Sequence, residues 1–303
     1  MAVKTVQTVI NGQTYTLTLN SSTGKYEATI TAPSKSSYNQ SGHYYPVKVT
    51  ATDESGNSTS KDASDSTLES SLRLTVKEKV APVIAIVSPT AGSFFTNSKP
   101  TITWKVTDAD SGVNPATIGI TLDNGTKVTG DAITKTAITG GYQCTYTPAT
   151  ALSDGSHTIK LDASDYDGNA AATNSTTFKV DTVPPTLTLS SPADKLITNK
   201  SACTVKGTTN DVTSSPVKVT IKLNSGTAEP VTVGRDGSFT KDLTLANGTN
   251  TITVVATDSA GKSTTVTRTV TLDTGAPVIK SVTLTPNPVD CGKTFVISVE
   301  VTD

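Results

Sequence analysis

A recurring pair of sequence words constrains this chain more than any other feature. Three segments share one pattern: Val49-Thr50-Ala51-Thr52-Asp53-Glu54-Ser55-Gly56-Asn57, Leu161-Asp162-Ala163-Ser164-Asp165-Tyr166-Asp167-Gly168-Asn169, and Val254-Val255-Ala256-Thr257-Asp258-Ser259-Ala260-Gly261-Lys262. A second word recurs as Val80-Ala81-Pro82-Val83-Ile84, Val183-Pro184-Pro185-Thr186-Leu187 and Gly275-Ala276-Pro277-Val278-Ile279. Self-similarity at a steady period decides architecture, because each repeat is one folding unit. Pro82 and Pro185 lie 103 residues apart, and Pro185 and Pro277 lie 92 apart. Units of that length built from short strands fit a β-sandwich.

The strands read out by period-2 alternation. Ile102, Trp104 and Val106 fall on one face of Thr101–Thr107, and Thr101, Thr103, Lys105 and Thr107 on the other. Asp123-Asn124-Gly125, Asp154-Gly155 and Arg235-Asp236-Gly237 carry turn chemistry. No segment reads as a helix. Trp104 is expected to anchor a core. With 34% apolar and 5% aromatic residues, each core must be small and aliphatic.

The two ends look like complementary pieces. Residues 275–303 align with 80–108 and stop at the same word, Val301-Thr302-Asp303 against Val106-Thr107-Asp108. Residues 1–77 enter the pattern later: Thr8–Gln13 corresponds to Thr121–Thr126, and Tyr26–Pro33 to Tyr142–Pro148, with no first or second strand before them. An isolated strand pair is marginal in water, and this one would expose Val282, Leu284, Phe295, Ile297, Val299 and Val301. One reading is that this pair completes the 1–77 unit, within a chain or of another chain, by strand addition. The others are that it packs locally on the preceding unit, that the ends are fragment boundaries, or that a different partner completes either end.

Composition excludes several functions. The net charge is −1 and the pI about 6.1, so no basic stripe exists to neutralise phosphates and nucleic acid is not expected as a partner. No apolar run approaches a membrane span, so no membrane insertion is expected. The N-terminal residues lack the apolar core of a secretory signal. Cys144, Cys203 and Cys291 fall in three different repeats, so no repeat closes an internal disulfide, and each is expected as a small buried hydrophobe. His43 and His157 stand in different units, and no nucleophile elbow, His-Glu-x-x-His or phosphate loop is present. No catalysis is expected.

The Ala-Thr/Ser-Asp-x-x-Gly-Asn/Lys turn and the Asp-Thr-x-x-Pro connector (Asp181-Thr182-Val183-Pro184-Pro185; Asp273-Thr274-Gly275-Ala276-Pro277) resemble the bacterial immunoglobulin-like repeats of surface adhesins and of phage tail and other virion proteins. The resemblance covers nearly all of the chain. It implies an all-β fold of tandem immunoglobulin-like β-sandwich domains: a partial sandwich at 1–77, complete ones at 78–181 and 182–273, and a strand pair at 274–303. For function it implies a non-enzymatic structural or adhesive role. The missing signal favours a phage-like particle, with the chain in the virion after assembly in the host cytoplasm, acting as spacer, decoration or host-surface contact. The alternatives are a fragment of a cell-surface adhesin, located at the bacterial surface, and a carbohydrate-binding accessory region of a secreted enzyme. Expected partners are further copies of the chain, other virion proteins, or a host-surface glycan or protein.

Some adhesin repeats of this kind hold calcium between domains through turn and connector aspartates. The resemblance places Asp165, Asp167 and Asp181 at one junction and Asp258 and Asp273 at the next. Asp108 and Asp110 form a further Asp-x-Asp pair. The competing reading is a tight turn, with Asp bonding its own backbone and Gly supplying positive φ. Lys262, where the other turns have Asn57 and Asn169, weakens the ligand reading there, and the first junction has Lys77-Glu78-Lys79 in place of Asp-Thr. Tyr38, His43, Tyr44 and Tyr45 form the one aromatic cluster. It reads either as a ligand-contact surface, because tyrosine offers large area at low entropy cost, or as a loop folded over the first unit's open core.

Overall fold

The computed structural model describes residues 2–303. The chain forms two compact units, one through Val180 and one from Asp181.

The first unit opens with a single sheet. Its strands are β1 (Val3–Ile10), β2 (Gln13–Asn20), β3 (Lys25–Glu27), β4 (Tyr45–Asp53), β5 (Ser58–Lys61) and β6 (Arg73–Leu74). The order is β3-β2-β1-β4-β5, with β6 beside β4. Asn11 and Gly12 close β1 onto β2 with φ of 49° and 75°, the doubly left-handed two-residue turn that Asn-Gly favours. The match of Tyr26–Pro33 to Tyr142–Pro148 predicts a longer strand, but β3 ends at Glu27. The corresponding segment in the next sandwich pairs with a second strand that this sheet does not have, so residues 28–35 have no ladder to join.

A complete sandwich follows: β7 (Val83–Ser88), β8 (Phe94–Phe95), β9 (Ile102–Thr107), β10 (Val113–Leu122), β11 (Thr134–Ile138), β12 (Gly141–Tyr146), β13 (Gly155–Asp165) and β14 (Asn174–Val180). Its sheets run β10-β13-β14-β8 and β11-β12-β9-β7. The alternation read from the sequence sets the core. Ile102, Trp104 and Val106 of β9 meet Ile118, Ile120, Ile159, Leu161, Phe178 and Val180, all fully or almost fully buried.

The second unit repeats the plan with β15 (Thr186–Ser191), β16 (Leu196–Thr198), β17 (Ala202–Asn210), β18 (Lys218–Leu223), β19 (Glu229–Val231), β20 (Ser238–Thr244), β21 (Gly248–Thr257) and β22 (Ser263–Leu272). Its sheets are β15-β17-β20 and β16-β22-β21-β18-β19 around Val205, Val219, Ile221, Phe239, Ile252, Val254 and Val270. Gly237 closes the Arg235-Asp236-Gly237 turn at φ 80°. A Cβ there would lie 2.1 Å from the Thr209 carbonyl oxygen, so no other residue fits.

Among the described residues, the last strands, β23 (Val278–Thr285) and β24 (Val296–Thr302), pair only with each other. They pair antiparallel in nearly the register of β7 and β9, each pair with one irregularity, between Ile279 and Ser281 here and, two aligned positions further along, between Ile86 and Ser88 there. Val282, Leu284, Phe295, Ile297, Val299 and Val301 are all exposed. So is Cys291, which departs from the buried thiol expected of it; it sits between the strands, where no opposing sheet covers it. Cys144 lies in the core beside β9, and burial pushes its thiol up to about 11. Among the described residues, helical structure is confined to four 3₁₀ turns: Ser37–Asn39, Ser41–His43, Glu69–Leu72 and Gly130–Ala132.

His157 of β13 is buried and held at both ring nitrogens. Its Nδ1 lies 3.0 Å from Asp123 Oδ2 and its Nε2 lies 2.8 Å from the Ser153 carbonyl oxygen. Both partners are acceptors here, so the ring satisfies both only when both nitrogens carry protons. Burial alone would lower its pKa. The bonds to Asp123 and Ser153 and the Asp123 charge outweigh that and hold it above the usual value. A raised folded-state pKa stabilises fully below the unfolded value of about 6.5 and loses that contribution as pH rises through the folded value. Denaturant midpoints should therefore fall as pH rises from 6 to 8, and His157→Gln should flatten that slope. An unchanged slope in the variant would remove the pair from the account.

Candidate metal centres

Each complete sandwich brings three carboxylates together from three separate segments. In the first unit they are Glu78 from the segment entering β7, Asp108 just past β9, and Asp165 at the end of β13. In the second they are Asp181 from the segment entering β15, Asp211 just past β17, and Asp258 just past β21. In each trio, one oxygen from each residue lies within 4.8 Å of the others. The trios occupy equivalent positions. Glu78 and Asp181 each stand four residues before the marker proline, and Asp108 and Asp211 follow each thirty residues later.

Local chemistry holds every member in place. The Asp-x-x-Gly turns put Gly168 and Gly261 at φ 93° and 89°, which lets the chain double back so that the first aspartate caps the turn. Asp165 Oδ1 accepts from the Asn169 amide at 2.7 Å, and its Oδ2 from the Asn169 side-chain nitrogen at 2.6 Å. Asp108 Oδ1 accepts from the amides of Asp110 (2.9 Å) and Gly112 (2.7 Å). Glu78 Oε1 accepts from the Ser111 amide at 2.6 Å. In the second unit, Asp211 Oδ1 accepts from the amides of Thr213 (2.8 Å) and Ser214 (2.6 Å), and Ser214 Oγ donates to Asp181 Oδ2.

Asp258 is the informative member. Its Oδ1 accepts from the Lys262 amide at 2.9 Å. Its Oδ2 is buried and has no partner, on a residue only 5% exposed. Lys262 is the cause. Where the other turns have Asn57 or Asn169, a side-chain amide caps the second carboxylate oxygen of the turn aspartate. Lysine at that position provides no such cap here. The replacement that argued against a ligand in the sequence is what frees a ligand atom in the fold. In the first trio the corresponding loose end is Ser111 Oγ, buried without a partner beside Glu78.

Three carboxylates this close repel strongly. At an effective dielectric constant near 20, each pair about 4.8 Å apart costs about 3 kcal/mol, comparable to or larger than one charge-assisted N–H···O bond returns. Among the described residues no lysine, arginine or histidine forms an ion pair with any of the six. An all-oxygen, clustered-carboxylate donor set suits a hard divalent cation, calcium above all, with carbonyls and water filling its remaining positions.

The other residues singled out from sequence lie elsewhere. Asp167 spends Oδ2 on the Glu78 amide (3.0 Å), and Asp273 is exposed and accepts from the Gly275 amide (2.9 Å). Asp110 accepts from Ser36 and Asn39. Tyr38 stacks between His43 and Tyr166, each at 4.0 Å. Tyr44 lies under Arg73, and Tyr45 is buried with its hydroxyl on the Lys35 carbonyl. Glu78 and Asp211 escaped the sequence reading. The thirty-residue interval from the position before the proline, repeated at Asp273 and Asp303, is the signal that marks them.

Residues 82–161 match the family described as bacterial Ig domain. The chain is built of bacterial immunoglobulin-like repeats. Residues 185–274, the second complete repeat, match the family described as glucodextranase, domain B. Bacillopeptidase F of Bacillus subtilis (strain 168) is 34% identical over 199 residues, which are 66% of this chain and 12% of that protein. The chain thus spans about an eighth of the relative it matches. Among solved structures, the fibronectin(III)-like modules of Clostridium thermocellum CbhA are 18% identical, with 63% of this chain and 94% of theirs covered at a TM-score of 0.37. Rst D1-D2 is 13% identical, with 64% and 100% covered at 0.40.

The orphaned oxygen of the second repeat makes two variants informative. In chelator the second unit of Asp258→Asn should melt above that of the parent chain, because a buried repulsion is gone, yet that unit should gain little from added calcium. The parent should gain about 2.7 kcal/mol at a calcium concentration of 100 times Kd. Lys262→Asn, which restores the cap, should weaken calcium binding at that repeat. Calorimetric melts and titrations check both, and equal calcium responses in all three chains would dismiss the centre.

Proposed function

We propose that this chain is a non-catalytic, calcium-stiffened accessory region of a larger secreted or cell-surface bacterial protein. The observation that carries the reading is the same tri-carboxylate centre built twice, in successive immunoglobulin-like repeats. Carboxylate sites of extracellular modules bind calcium with Kd near 10⁻⁴–10⁻³ M, so they fill outside a cell and stay empty within it. A site that gains its cation outside the cell gains its rigidity where a surface or secreted protein works.

The matches to a peptidase and to a domain of a glucodextranase support an accessory region over a part of a phage-like particle. In this reading the repeats present or space a neighbouring domain, and the trios at the ends of the sandwiches restrain the segments that enter them.

An antibody raised against this chain tests the reading on intact cells of the producing bacterium. Surface labelling, or recovery from the medium, that disappears after brief external protease is the expected result. Antigen found only in the cytosol, or only in released phage particles, would overturn it.

A further inference from the structure

We infer that the loop at 36–43 of the first sheet is a positioning element for the Glu78–Asp108–Asp165 centre, so that cation occupancy and docking of that sheet on the next repeat are coupled. This deepens the proposed calcium reading and rests on it. The sheet, its loop and the trio all belong to the unit ending at Val180.

The argument is one of adjacency. Each carboxylate of the trio lies within two residues of a group that grips the loop. Two residues before Glu78, the Val76 carbonyl accepts from Ser37 N at 2.9 Å and Ser37 Oγ at 3.1 Å, and the Val76 amide donates back to Ser37 Oγ at 3.2 Å. Two residues after Asp108, Asp110 takes the Ser36 amide at 3.0 Å and the Asn39 side chain at 3.0 Å on its carboxylate. Immediately after Asp165, the Tyr166 ring stacks on Tyr38 at 4.0 Å with an interplanar angle of 11°, and His43 covers the other face of Tyr38. Asp167 and Asn169 of the same turn bond the backbone of Glu78, through its amide and its carbonyl.

The three ligand-bearing segments are therefore the three that hold the loop. Without a cation their carboxylates repel one another, and separation would pull Val76, Asp110 and Tyr166 apart beneath it. With a cation they are drawn together in the geometry the loop requires. By linkage the coupling is reciprocal: removing the grip must weaken the cation as much as removing the cation weakens the grip. The second trio provides an internal control, since its three ligands belong to the other unit.

Calcium titration of the full chain by isothermal calorimetry tests this. Asp165→Asn and Asp258→Asn, each alone, assign the two binding events to their trios. Tyr38→Ala should then weaken calcium at the Asp165 trio at least about fivefold, within the usual range of coupling between sites, and leave the Asp258 trio unchanged. Tyr38→Phe, which keeps the stack, should bind like the parent. An unchanged affinity at the Asp165 trio in Tyr38→Ala, or an equal loss at both trios, overturns the coupling while the calcium reading stands. No calcium binding by the parent chain overturns both.

Discussion

Electrostatic repulsion among converging carboxylates is the constraint around which these repeats are organised. The sandwiches themselves need only alternating small aliphatic residues, and Ile102, Trp104 and Val106 against Ile159 and Leu161 supply them. What distinguishes one repeat end from a generic sandwich edge is that three chain segments meet there through negative charge. Backbone amides cap individual oxygens, and loops such as 108–112 and 165–169 are shaped by that capping. The caps leave the trios short of positive charge, a repulsion that a bound cation would relieve.

The trios also explain why the segments between sheets are not simple tethers. Glu78 bonds the Ser111 amide through its side chain and Asp167 and Asn169 through its backbone. Asp181 is tied to Ser214. A residue that links one sheet to the next is thus part of the hydrogen-bond network of the repeat it enters. Lys262 shows how finely the balance is set, because one change of side chain leaves an aspartate oxygen without its internal partner.

Much of this was legible in the sequence. The turn and proline words gave the repeat length, and period-2 alternation placed the core of β9 correctly. The aspartates of the turns were visible as a class, but their grouping was not. The family resemblance put Asp165 with Asp181 and Asp258 with Asp273, whereas the fold joins each turn to the start of its own repeat, with Glu78 and with Asp181. Strand pairing over long separations is invisible to a local reading, and Glu78 was hidden further by standing where an aspartate was sought. The tyrosine cluster divides in the fold. Tyr45 serves a core, Tyr44 a guanidinium and Tyr38 a stack, and only partners distant in sequence separate those roles.

The first two carboxylates of each trio are separated by the same thirty residues, while the third follows Asp108 by 57 residues and Asp211 by 47. The opening strand pair acts as a ruler. Adding one residue within a strand of it would slip its register and turn the side chains beyond to the opposite face. The stretch between the second and third carboxylates carries no such measure, and the two repeats already differ there by ten residues. Between these two repeats the difference in length thus falls in the middle of the repeat, where loops can be rewritten without disturbing its charged end.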